Sequence, residues 1–266
     1  MRLLIRRDGA AVSAEAARIV QDAMASLDYP VLGLSTGRTV TGLYQELSRS
    51  HAAGELDFSR VTTFNLDEYV DLGPDHPSSF ARFMHVELFS KINLDPSRIN
   101  VPDGLAPDLE AHCLDYEALI QSSGGIDLQI LGIGTDGHIA FNEPGSSLGS
   151  RTRLKALTDE TRRQNASSFG REEKVPRVAI TMGVGTILEA RSCLLLAIGR
   201  DKAAAIRDSI EGPVTSQITA SALQLHPNVT VVIDEDAAHL LRRRSYYAQV
   251  EEAELEMANR STPAER

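Results

Sequence analysis

The chain has 266 residues, 42% of them apolar and 24% charged, with a formal net charge of -10. That is enough chain for a large core, and the composition is that of an ordinary soluble globule. The acidic balance excludes the broad phosphate-driven attraction on which nucleic-acid binders depend, while leaving room for a local basic pocket that takes one small anion.

Taken in order, "RLLIR" near the N-terminus reads as a short strand, and its apolar run is too short for a signal-peptide core. Ala14 to Leu27 carries apolar residues at helical spacing. "PVLGLSTG" is a buried strand ending in glycine, and "VTGLYQELSRSHAAG" is a helix closing at Gly54. "VTTFNLDEY" reads as the next strand and Ser79 to Ile92 as a helix. Leu109 to Ile120 is helical, and "IDLQILGIG" is a strand running into "TDGHIAFNEP". "RVAIT", "SCLLLAIG" and "NVTVVID" are further apolar strands; "KAAAIRDSI" and the charged stretch from Glu235 to about Asn259 are helices. The tail "NRSTPAER" reads as frayed.

Strand followed by helix, repeated, predicts an α/β fold: a doubly wound, mainly parallel sheet with helices on both faces, Rossmann-like, in one domain spanning 1–266. No stretch approaches the ~20 apolar residues that span a bilayer, so the expectation is a cytoplasmic protein with no membrane partner. The cysteines Cys113 and Cys193 stand alone, without a CxxC or a histidine at metal spacing, and read as reduced thiols.

In doubly wound sheets ligands bind beyond the carboxyl ends of the strands, and polar clusters fall at such ends here. In "LGLSTGRTV" a strand runs into Ser35, Thr36, Gly37, Arg38 and Thr39 before a helix begins. Glycine lets the backbone approach an anion, and the helix start offers free N–H groups. The stretch reads either as a phosphate cradle or as a capped helix start; it is neither a P-loop nor a GxGxxG fingerprint. In "FNLDEYV", Asp67 and Glu68 follow an apolar run. A carboxylate shielded there is either a base with a raised pKa or part of an acidic turn. In "GTDGHIAFNEP", Gly132, Gly134 and Gly137 allow a tight turn. Asp136 is two residues from His138 and can orient its ring, and Glu143 could reach back to the same imidazole. That spacing matches no recognised metal site, and no G-x-S-x-G elbow supplies a nucleophile, so proton relay is the better functional reading and no metal is expected. Lys202 adds a cation after another strand, and Arg151, Arg153 and Lys155 form a basic group near the relay. His226 reads as a helix end. An anion cradle, an isolated carboxylate and a relay at different strand ends suit a sugar phosphate whose carbons exchange protons.

Over nearly its whole length the chain resembles the glucosamine-6-phosphate deaminase family, through "LGLSTGRT", "FNLDEYVDLGPDHPSSF", "LGIGTDGHIAFNEPGSSLGSRTRLKALTDETR", "AITMGVGTILEAR" and "SALQLHP". The resemblance implies aldose–ketose isomerisation with loss of ammonia, without a cofactor, turning glucosamine 6-phosphate into fructose 6-phosphate. It implies that Asp67 moves the proton between C2 and C1 and that Asp136, His138 and Glu143 open the pyranose ring. Thr36, Gly37, Thr39 and Lys202 fall on its phosphate positions. Many bacterial members are hexamers activated by N-acetylglucosamine 6-phosphate, which implies a homo-oligomer with Ser146, Ser147, Arg153 and Lys155 at an allosteric site.

The chain departs from the family pattern at Ser167, where an arginine usually grips the phosphate, and at Arg38, where a small residue is usual; Arg38 either replaces the missing guanidinium or narrows the loop and selects a different amino-sugar phosphate. It departs again at Ala156, where allosteric members commonly carry threonine; Tyr246 and Tyr247 lie near the position of an allosteric tyrosine. Two further readings compete. A related hydrolase, 6-phosphogluconolactonase, should lack the pairing of "FNLDEYV" with "HIAFNEP". A non-enzymatic sugar-phosphate sensor of the repressor type would need a DNA-binding helical domain, whereas here the first strand begins at once.

Overall fold

A computed structural model describes residues 1–170 and 174–261. In chain order its elements are β1 (Arg2–Arg6), α1 (Gly9–Ala25), β2 (Val31–Leu34), α2 (Arg38–Ala52), β3 (Thr62–Asn65), β4 (Asp67–Tyr69), α3 (Phe80–Glu87), β5 (Ile99–Asn100) and α4 (Leu109–Ser122). There follow β6 (Leu128–Leu131), β7 (Arg153–Ala156), α5 (Asp159–Asn165), β8 (Val178–Thr181), α6 (Val184–Leu188), β9 (Ser192–Ala197), α7 (Ala203–Ile210), β10 (Val229–Asp234) and α8 (Arg244–Ser261).

Seven strands form one sheet in the order β1-β10-β9-β6-β2-β3-β5, and every pairing within it is parallel. The central strands read as continuous apolar runs because both faces are covered. On one face α1, α2 and α3 pack Val20, Leu43 and Met84 against Leu32, Ile130 and Leu194. On the other, α4, α6 and α7 pack Tyr116, Ile187 and Ile206 against Phe64, Leu131 and Leu195. The α/β, doubly wound architecture is as expected. Helix starts are fixed by short polar side chains, as N-caps require: Asp8 accepts from the Ala11 N–H, Ser79 from Arg82 and Asp108 from Ala111.

Several boundaries differ from the expectation. "VTTFNLDEY" is not one strand. β3 stays in the parallel sheet, while β4 joins a separate three-stranded sheet, β4-β8-β7, pairing antiparallel with β8. "RVAIT" therefore belongs to this second sheet. Leu66 is the junction: its N–H donates to the Leu34 carbonyl, and its own carbonyl accepts from the Met182 N–H. The basic stretch read around Arg153 and Lys155 is strand β7. The helix expected over Ser79 to Ile92 ends at Glu87, because Leu88 leaves helical geometry to become buried and a 3-10 turn follows. The C-terminal helix begins at Arg244 rather than Glu235, since the Glu211 carboxylate accepts the N–H groups of Arg242 and Arg243 and fixes the entry to α8. That helix runs through Ser261, three residues into the tail read as frayed; the rest of the tail, 262–266, lies outside the described residues. Both cysteines are free and buried. No described helix is long and apolar enough to cross a membrane.

Candidate active site

A crevice of about 590 Å³ opens beyond the carboxyl ends of β2, β3, β6 and β9, within the size range of small-molecule sites. The chain leaves β2 through Ser35 and Thr36, turns at Gly37 (φ 107°) and enters α2 at Arg38, whose start no side chain caps. The helix therefore presents uncapped N–H groups and the positive end of its dipole toward the crevice. Lys202 arrives from the turn after β9. Burial holds its amine below the usual lysine range; the Asp201 carboxylate at 3.7 Å opposes this, and the nearby Arg38 reinforces it. An anion between Arg38, Lys202 and the start of α2 would relieve that repulsion.

Asp67 opens β4 and lines the same crevice. It is 6% exposed. Burial, reinforced by the neighbouring charge of Glu68, pushes its carboxyl up to about 8. Among the described residues no hydrogen bond to the carboxylate opposes that shift, so Asp67 is a strong base once ionised.

The third side is the turn after β6. The Gly134 N–H donates to the His138 carbonyl (2.8 Å), and Gly137, at φ 85°, closes the turn. A Cβ on Gly134 would lie 2.4 Å from the His138 ring, so only glycine lets the imidazole seat here. His138 Nδ1 lies 2.6 Å from Asp136 Oδ1, and the same oxygen accepts the His138 backbone N–H. Burial pushes the Asp136 carboxyl up, but the imidazole contact outweighs it and the group falls below the usual carboxylate range. With Nδ1 held by Asp136, Nε2 is the ring nitrogen left to exchange a proton. We expect Gly134→Ala to displace the ring and lower kcat by about 10²-fold with an unchanged oligomeric state, read by steady-state kinetics beside size-exclusion chromatography; a wild-type kcat would show that the ring tolerates the methyl group.

Beyond His138, Ala140 adopts φ 50°, unusual for a residue with a side chain. The loop is held there by Phe141 N–H donating to Thr181 Oγ1 and Asn142 Nδ2 donating to the Met182 carbonyl. Glu143 is 3% exposed, and its Oε1 accepts from the Thr158 N–H (3.0 Å) and hydroxyl (2.9 Å). The anticipated reach of Glu143 back to the His138 ring gives way to this contact, because a buried carboxylate takes the donors at the start of α5.

Asp67, His138, Thr36, Gly37, Arg38, Thr39 and Lys202 thus share one crevice, with Asp136 behind the imidazole. Ser146, Ser147, Arg153 and Lys155 do not line it. Ser146 is buried, and Arg153 and Lys155, two apart on β7, point to one face of the second sheet. Ser167 lies on the 3-10 turn Ala166–Ser168, and it is Ser168 that lines the crevice. Sequence reasoning gave no role to the wall facing the relay. There Tyr69 packs against Phe80, Phe141 and Phe169, Asn165 Nδ2 donates to the Tyr69 hydroxyl, and the Ser78 hydroxyl donates to the Ser168 carbonyl. The aromatic spacing in "DEYVDLGPDHPSSF" was the available signal. Among the described residues no group of three His, Cys, Asp or Glu side chains is arranged to hold a metal.

A parallel sheet whose strand ends bring together an uncapped helix start, two cations, a buried carboxyl and an imidazole–carboxylate pair defines an α/β protein with the groups that acid–base chemistry needs. Residues 8–232 match the model of the glucosamine-6-phosphate isomerases/6-phosphogluconolactonase family, and the chain belongs to that family. A glucosamine-6-phosphate deaminase of Halothermothrix orenii is 49% identical over 91% of this chain and 100% of its own. The glucosamine-6-phosphate deaminase 2 of Bacillus subtilis is 48% identical over 92% of this chain and 100% of its own. A solved structure of a monomeric glucosamine-6-phosphate deaminase superposes with a TM-score of 0.88 at 45% identity, covering 90% of this chain and 100% of that one. The 6-phosphogluconolactonase of Trypanosoma cruzi, at 20% identity and a TM-score of 0.73, shares the fold.

Proposed function

We propose that this protein converts glucosamine 6-phosphate and water to fructose 6-phosphate and ammonia. The observation that carries the reading is the buried carboxylate of Asp67 in one crevice with the His138–Asp136 pair and the cationic cradle of Arg38 and Lys202. The deaminase relatives at 45–50% identity support it.

The phosphate sits on the start of α2, with Thr36, Gly37 and Thr39 around it and Lys202 as counter-charge. His138 exchanges the proton of the ring oxygen and opens the pyranose, and Asp136 holds the imidazole and steadies its cationic form. Glu143 acts through its hold on Thr158, which fixes the segment following the relay loop. Asp67 takes the proton from C2 and returns it to C1. The C2 ammonium gives one proton to the C1 oxygen as the aldehyde becomes an alcohol, which leaves a C2 iminium; water adds to it, and ammonia leaves. Each positioned acid or base is worth ~10²–10⁴-fold. The relay needs no cofactor.

Arg38 supplies the guanidinium that Ser167 lacks. It lines the crevice at the start of α2, close enough to Lys202 to depress its amine. A charge-assisted bond to phosphate is worth ~1.5–3 kcal/mol, so Arg38→Ala should raise KM about 10–100-fold, and adding Ser167→Arg should restore it. An unchanged KM in the single variant removes Arg38 from the phosphate site. Arg153 and Lys155 form a second anion-binding position, checked by assaying with and without N-acetylglucosamine 6-phosphate. The deciding experiment measures ammonia release by the purified protein from glucosamine, galactosamine and mannosamine 6-phosphates and from unphosphorylated glucosamine. Release from glucosamine 6-phosphate alone is expected; preference for another of these names a different amino sugar, and no release from any overturns the reading.

A further inference from the structure

We propose that Glu68 is a positioning residue of this reaction: it clamps one wall of the crevice to the strand that carries Asp67 and holds a second negative charge behind that base. The inference rests on the deaminase reading above.

Successive residues of a strand point to opposite faces. Asp67 faces the crevice, and Glu68 faces α3. Its carboxylate is 2% exposed, and it accepts backbone N–H groups from Tyr69 (2.8 Å), Phe80 (3.1 Å) and Ala81 (2.9 Å). Phe80 and Ala81 are the first two residues of α3, whose N-cap Ser79 already accepts from Arg82. The helix start is therefore held twice, by its own serine and by a carboxylate from the neighbouring strand. The segment so fixed includes Ser78, Ser79 and Phe80, which line the crevice, and Ser78 in turn bonds the opposite wall at Ser168.

Capping alone needs no charge; serine, threonine or asparagine serves. A buried carboxylate is costly unless well bonded, and this one stands beside the reacting base. Burial pushes the Glu68 carboxyl up, against the three N–H donors and the nearby His76. Burial and both carboxylates push the Tyr69 hydroxyl up, and burial and Asp67 push up that of Tyr116, while His138 and Lys202 line the crevice that Asp67 enters. A like charge on the adjoining residue delays ionisation of Asp67 and makes it a stronger base when ionised.

The test compares the unsubstituted enzyme with Glu68→Gln and Glu68→Asp over the pH range of kcat/KM. Glu68→Gln removes the charge, so the acid limb should move to lower pH by roughly 0.5–1 unit, and the loosened wall should raise KM about 10-fold with kcat changed far less. Glu68→Asp keeps the charge but shortens the reach, so the limb should stay while KM rises. An unmoved limb in Glu68→Gln, or an unchanged KM in both variants, overturns the proposal. If neither variant folds, carboxyl ¹³C NMR of the unsubstituted protein decides: Glu68 ionised while Asp67 titrates supports it, and Glu68 protonated throughout that range overturns it. Failure of the deaminase reading is seen separately, as absence of ammonia release by the unsubstituted enzyme.

Discussion

Asp67→Asn should lower kcat at least ~10²-fold with KM little changed. The amide matches the carboxylate in shape, leaves the phosphate cradle and the His138–Asp136 pair untouched, and cannot accept the C2 proton. A loss confined to kcat marks an interaction made only in the transition state. A near-wild-type rate removes Asp67 from the role. The same carboxylate gives the enzyme a pH signature. In the proposed role Asp67 acts ionised, and burial, reinforced by Glu68, pushes its carboxyl up to about 8, so kcat/KM should rise with pH through that value. The effect on stability runs the other way. A carboxyl whose folded pKa lies above its unfolded value binds its proton more tightly in the native state. That contribution is fully present below the unfolded carboxylate range and is lost as pH climbs toward and through about 8. Asp67→Asn removes the loss, so its thermal midpoint should exceed the wild type's increasingly from the ordinary carboxylate range up to about pH 8 and level off above it. Melting curves in that window check the sign independently of the assay.

His138→Gln should be comparably damaging, lowering kcat about 10²-fold or more while leaving KM within a few-fold. Glutamine can still hydrogen-bond, but it cannot take and return a proton, so the pyranose ring stays closed on the enzyme. Asp136→Asn should be milder because the imidazole remains; its cationic form only loses the partner at 2.6 Å. Comparing the two separates the proton carrier from the group that steadies it. If Asp136→Asn proved the more damaging, the carboxylate rather than the ring would be handling the proton.

The parallel sheet was legible because strands buried on both faces write continuous apolar runs, as in "SCLLLAIG" and "NVTVVID". The turns after β2 and β6 and the contact between Asp136 and His138 were legible because glycine marks both turns and the two residues are only two apart. What the sequence hid was decided by distant partners. In "VTTFNLDEY" the polar run Asn65, Asp67 and Glu68 weakens the strand pattern around Leu66, but only the pairing with β8 shows that the chain changes sheets there. The start of α8 depends on Glu211, a whole strand earlier in the chain. Glu143 finds Thr158 rather than His138 because α5 folds back over the relay loop. Glu68 looked like the second half of an acidic turn, and its partners at Phe80 and Ala81 appear only once α3 is packed.

The Leu66 junction also bears on how the enzyme acquires activity. The relay and cradle grow from strands of the parallel sheet, but Asp67 comes into place only when β4 meets β8, a segment far along the chain. Such non-local pairing forms late, because loop closure must precede any contact that rewards it. A refolding chain should therefore regain its helical far-ultraviolet signal before it releases ammonia, and that delay is a clock for the closing of the second sheet.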